Sequence, residues 1–140
     1  MKSIKQLTLV TVLVLTSMYT HAQQSTISIE ITNIQSDEGV LIVGLFDSEK
    51  NFLGKKFKGE KMKAVKGKMM VSFDEVPAGT YSISVVHDEN ENGNLDTNFI
   101  GIPKEPYGIS IEGKNMYGPP SYDKAKFEVT NKNIDLTISL

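Results

Sequence analysis

Cysteine, tryptophan and arginine are absent from these 140 residues, and all fifteen basic side chains are lysines. Without thiols there is no disulfide, no cysteine nucleophile and no thiolate metal site. Without guanidinium groups, the bidentate clamps that proteins use on carboxylates and phosphates cannot be built. Histidine is nearly absent as well: there are two, His21 and His87, and His21 falls in the N-terminal segment read below as a leader. A histidine-rich zinc site is therefore excluded by inventory. The longest apolar stretch, residues 7–18, falls short of the roughly 20 residues that a membrane-spanning helix needs.

That stretch, interrupted only by Thr and Ser, follows Lys2 and Lys5 and precedes Thr20-His21-Ala22. The order of charge, apolar run and small residues predicts a signal peptide over residues 1–22, cleaved after Ala22. No cysteine follows the run, which excludes lipid attachment through a lipobox cysteine. The expectation is an exported protein, periplasmic or secreted, with no transmembrane segment after cleavage. Residues 23–140 then form a single domain, of a size that buries roughly two thirds of its unfolded surface and needs no covalent staple. Two of the fifteen lysines lie in the leader, so the remaining 13 face 17 carboxylates, a net charge of −4. Such a balance argues against a nucleic-acid partner.

Period-two alternation predicts most of the strands. Ile27, Ile29 and Ile31 alternate with polar residues, and residues 36–39 supply a turn. Residues 40–46 are uniformly apolar, as a central strand requires. Phe52 and Leu53 are expected to pack beneath a short turn or helical piece. Residues 55–68 are rich in lysine and read as an exposed edge, where Lys blocks sheet-to-sheet pairing. Met69, Val71 and Phe73 alternate, a Pro-Ala-Gly turn follows, and Tyr81, Ile83 and Val85 alternate again. Residues 126–130 and 134–140 are the last two strands. Between them and the earlier strands, residues 99–122 show no periodicity and hold four of the five prolines. The fold class predicted is an all-β, antiparallel β-sandwich of about seven strands, with one long irregular Gly/Pro/Tyr-rich segment.

One stretch specifies a chemistry. Residues 88–96 read DxNxNGxLD, most of a calcium loop of the EF-hand kind. Asp88, Asn90, Asn92 and Asp96 occupy positions 1, 3, 5 and 9, which supply side-chain oxygens. Asn94 at position 7 supplies a carbonyl, and Gly93 stands where the backbone turns sharply. Position 12, normally a bidentate Glu, is Phe99, so no helical EF-hand closure is expected and the chain should leave the loop into packed irregular structure. A six- or seven-fold oxygen shell would need one more ligand, with Glu105 and Asp123 as candidates. A metal-free Asx turn built on Asn92-Gly93 is the competing reading.

Other signals are weaker. His87 shares a strand face with Tyr81, Ile83 and Val85, so its ring is expected in the core. Its neighbour Asp88 should point to the opposite face, which opposes a catalytic dyad. Tyr107, Tyr117 and Tyr122 either cover one end of the sandwich or form an aromatic binding surface. Ser121 follows Gly118-Pro119-Pro120, which is not a nucleophile elbow. Glu89 and Glu91 lie between the calcium-loop positions and should face solvent. No catalytic residue is assigned; a small hydrolase or lyase with His87 as general base is the alternative to a non-enzymatic binding or envelope-associated module. The module's ligand is left open among a protein, a glycan and a small molecule.

Four segments in order carry a family resemblance: Pro77-Ala78-Gly79-Thr80-Tyr81, the run from His87 through Asn98, Gly101-Ile102-Pro103-Lys104-Glu105-Pro106-Tyr107-Gly108, and Gly118-Pro119-Pro120-Ser121-Tyr122. Together they resemble the bacterial domain family of unknown function numbered 2141, over roughly residues 25–140. The resemblance implies a small exported protein with no established activity. Its plan is similar to transthyretin-like, immunoglobulin-like and collagen-adhesin B-type sandwiches, some of which carry DxNxDGxxD calcium loops between strands. Asp88, Asn90, Asn92, Asn94 and Asp96 match those loop positions. Asn stands at positions 3 and 5 where Asp is common, so any calcium affinity should be weak, about 10⁻⁴ to 10⁻³ M.

Overall fold

In β1 (Ser25–Ile34), Ile27, Ile29 and Ile31 are wholly buried while Ser28, Glu30 and Thr32 are partly open to solvent. The alternation that predicts the strand therefore also sets its two faces. The structure is a computed structural model describing residues 24–111 and 121–140. The expected leader, Tyr117 and the rest of residues 112–120 lie outside the described residues.

β2 (Val40–Phe46), β3 (Lys58–Lys63), β4 (Gly67–Val76) and β5 (Gly79–Asp88) follow in order, then β6 (Tyr107–Ile109), β7 (Phe127–Val129) and β8 (Ile134–Ser139). They form two sheets. The smaller has the order β4-β1-β8, and the larger the order β3-β2-β5-β6 with β7 on the start of β5. The result is the expected β-sandwich, with one strand more than the sequence periodicity counts. The extra strand is β6, three residues inside the segment that reads as irregular.

Pairing is antiparallel except between β1 and β8, which run parallel with Ile29 opposite Leu136. The preceding strand explains this. β7 belongs to the larger sheet, where Phe127 pairs with Tyr81, so the chain must cross between sheets to reach the free edge of β1. A crossing of that kind is not bound to reverse direction as a hairpin is.

The core lies between the sheets. Ile27, Ile29 and Ile31 with Val71, Phe73 and Ile138 face Leu41, Val43, Leu45, Ile83 and Val85. Each fully buried aliphatic side chain contributes about 1.5–3 kcal/mol relative to exposure, which is how a chain without disulfides holds together.

Among the described residues β3 pairs only with β2, and it carries Lys58, Lys61 and Lys63, so the lysine-rich stretch is a sheet edge as expected. On the outer face of the larger sheet, Phe46 is buried under the edge of Phe52, ring centroids 5.5 Å apart. Phe52 follows a single 3-10 turn, Glu49–Asn51, and meets Tyr122 at 5.8 Å. Tyr122 opens the four-residue helix α1 (Tyr122–Ala125). Buried Ser110 ties α1 to β5: its hydroxyl accepts from the Ile83 N–H at 2.8 Å and donates to the Ala125 carbonyl at 2.5 Å. Among the described residues no helix is long and apolar enough to cross a membrane.

Candidate functional site

β5 carries its alternation through Tyr81, Ile83, Val85 and His87, all on the core side, and the candidate loop begins at the next residue. His87 is wholly buried. Its Nε2 lies 2.7 Å from the Glu38 carbonyl oxygen, an acceptor, so the ring hydrogen sits on Nε2 and donates there. Its backbone N–H donates to the Pro106 carbonyl at 2.9 Å. Among the described residues the buried Nδ1 atom has no hydrogen-bond partner. The ring is thus closed off from solvent.

The Glu38 carbonyl is presented by the turn between β1 and β2. Gly39 in that turn has φ +67°, and a Cβ placed on it would overlap the Asp88 backbone oxygen and come within 2.6 Å of the Glu89 Cα. Glycine is required here twice over, for backbone conformation and for space. The β1–β2 turn is thereby pressed against the root of the loop.

Asp88 is also wholly buried, although its side chain leaves the strand on the opposite face from His87. Its carboxylate accepts the Asn92 N–H at 3.0 Å on one oxygen and the Gly93 N–H at 2.8 Å on the other. The loop then winds through two Asx turns. Asn90 Oδ1 accepts the Asn92 N–H at 3.0 Å, and Asn92 Oδ1 accepts the Asn94 N–H at 2.8 Å. Gly93, at φ +83°, takes the reversal. Asp96 closes the ring: its two oxygens accept from Asn90 Nδ2 at 2.7 Å and Asn92 Nδ2 at 2.9 Å. Positions 1, 3, 5 and 9 are thus joined in one hydrogen-bonded circuit. Glu89 and Glu91 are exposed, as expected of residues between them.

Of the two residues considered for completing an oxygen shell, Glu105 reaches the loop and Asp123 pairs elsewhere. Glu105 is buried, and its carboxylate accepts the Glu89 N–H at 3.1 Å and the Asp96 N–H at 3.0 Å. It clamps the two ends of the loop together by their backbone. Asp123 lies on α1 and forms an exposed ion pair with Lys126 at 2.7 Å.

The chain leaves the loop without a helix, as Phe99 at position 12 predicts, but the packed irregular structure expected there is a small hairpin. Thr97 bridges Pro103, and Asn98 Oδ1 accepts the N–H groups of Ile100 and Ile102. Phe99 sits at its tip, 99% exposed, so it is displayed and not packed. Of the three tyrosines considered, Tyr107 lies in β6 opposite Val86 and Tyr122 packs on Phe52, while Tyr117 lies outside the described residues.

A hard cation such as calcium takes six to eight oxygens. The loop offers the carboxylates of Asp88 and Asp96, the carboxamide oxygens of Asn90 and Asn92 and the carbonyl of Asn94, with water to complete the shell. Among the described residues no group of three or more His, Cys, Asp or Glu stands where it could hold a metal, so any ion here would depend on the amides. The donor set fits calcium on one condition: the Asn90 and Asn92 carboxamides must turn their oxygens toward the Asp96 carboxylate. Only a cation between these oxygens makes that turn favourable. The sequence pattern marks Asp88, Asn90, Asn92, Asn94 and Asp96, and the structure links these residues by hydrogen bonds within one loop. The same pattern passed over Glu38 and Gly39 as an ordinary turn; the available signal for Glu105 was its bracketing by Pro103 and Pro106, which hold it in an extended segment.

No curated protein and no solved structure matches the chain. Residues 29–137 match the model of a family described as an uncharacterized protein conserved in bacteria, DUF2141, and the chain belongs to that family.

Proposed function

We propose that this protein is an exported, non-enzymatic binding or envelope-associated module whose 88–96 loop is stabilised by weak calcium binding. The observation that carries the reading is the gathering of Asp88, Asn90, Asn92 and Asp96 in one loop whose ends Glu105 holds at Glu89 and Asp96; the two amide bonds to Asp96 would open as an ion enters. Calcium would neutralise Asp88 and Asp96, replace the two amide hydrogen bonds on Asp96 and fix the hairpin that follows. Export rests on the charge and apolar pattern of residues 1–22. The non-enzymatic reading is supported by the burial of His87, which withdraws the general base that a small hydrolase or lyase would use. Its partner would be a protein, a glycan or a small molecule.

Titrating calcium while following backbone amide resonances tests the metal claim. Shifts confined to residues 88–96 and saturating near millimolar calcium are expected, with none in the Asp96→Ala variant. Uniform or absent shifts would leave a metal-free Asx turn. A screen of ester, glycoside and peptide substrates tests the other half: turnover abolished by His87→Ala would overturn the non-enzymatic reading.

A further inference from the structure

The outer face of the larger sheet contains a second site candidate that the loop borders without filling. Gly44 in β2 pairs with Gly59 on one side and Ser84 on the other, so one row across three strands carries nothing larger than a hydroxymethyl group. A cavity of about 160 Å³ lies on this face. Its lining includes Ile42, Ser84 and Val86 from the sheet, Leu53 and Lys56 from the β2–β3 connection, and residues 93–95 of the loop.

Two polar groups there are unspent. Ser84 is 7% exposed, and no described residue hydrogen-bonds its hydroxyl. The residue lines the cavity, so its hydroxyl is available there to a ligand atom or water. Lys56 is the one charged residue of the lining, and it makes no ion pair among the described residues. Its stem and the Phe46 ring cover the glycine row: a Cβ on Gly59 would meet the Lys56 Cδ at 2.8 Å, and one on Gly44 the Phe46 ring at 2.8 Å and the Lys56 Cε at 3.2 Å. Side chains at those positions would displace them.

We propose that this cavity binds a small amphipathic monoanion, a carboxylate bearing a short apolar chain. The chain would lie on Ile42, Val86 and Leu53, and the carboxylate would take the Lys56 charge and the Ser84 hydroxyl. The volume equals roughly five water molecules, which suits a ligand about the size of hexanoate. This rests on the binding-module reading above, but not on calcium, since the sheet and Lys56 supply the recognition.

The test is a hexanoate titration of the protein in chelator, followed by NMR, with hexanol as the uncharged probe. Hexanoate should shift Ile42, Val86 and Leu95 and bind about tenfold more tightly than hexanol, the value of one charge-assisted contact. Lys56→Met should bring hexanoate down to the level of hexanol, and Val86→Trp should abolish both, each variant keeping native amide dispersion. No shift at millimolar hexanoate, or equal binding by wild type and Lys56→Met, would overturn the proposal. Hexanoate binding retained alongside a failed calcium titration would sink the metal reading and leave this one standing.

Discussion

Gly39 and His87 lock the β1–β2 turn to the end of β5 from two sides, one by lacking a side chain and the other by donating to the Glu38 carbonyl. Gly39→Ala should cost about 2 kcal/mol or more, since the left-handed backbone alone is penalised by 1–2 kcal/mol and the new methyl group meets the Asp88 backbone; urea unfolding measures it. His87→Ala removes a buried ring and orphans the Glu38 oxygen, so a loss of about 2–4 kcal/mol is expected by the same method. Tyr81 gives a pH signature. Burial, and then the charge of Asp47, raise its ionisation above the ordinary 10.0. The folded state therefore holds the proton more tightly than the unfolded state. Its contribution is complete below about pH 10 and is lost as pH climbs through the folded value. Tyr81→Phe should flatten the decline in stability above that point. At this scale the sequence was legible where a residue's type limits its conformation: Asn90, Asn92 and Gly93 announce the turns of the 88–96 loop. Glu38 acts through its backbone carbonyl, which no side-chain pattern reveals.

At the scale of elements, the strands announced by alternation formed where expected, and β2 runs over Val40–Phe46 as its apolar run implies. β6 was illegible because three residues are too few to show a period, and its place is set by pairing Ser84–Val86 and by the Pro106 carbonyl. The parallel pairing of β8 with β1 was equally hidden, since alternation fixes which face is buried and says nothing of direction. In the β2–β3 connection Lys56, one of a run of lysines that reads as a solvated edge, is exposed as expected and also borders a cavity, which no composition reveals. The loop is an element with its own clamp. Glu105→Ala leaves the Glu89 and Asp96 N–H groups without their acceptor and should cost about 1–3 kcal/mol in thermal or urea unfolding. Glu105→Gln retains one carbonyl oxygen and should cost less.

For the whole molecule, stability without disulfides rests on the core between the sheets, and a bound ion would add to it by mass action. At free calcium ten times the dissociation constant the increment is about 1.4 kcal/mol, or roughly 5 °C in melting temperature for a domain of this size. The most direct measurement of the central claim is the melting temperature of the protein in chelator and in millimolar calcium, for wild type and for Asp96→Ala. Wild type should melt about 5 °C higher in calcium, and the variant should not shift. Equal melting temperatures for wild type in both conditions, or the same rise in the variant, would contradict that claim.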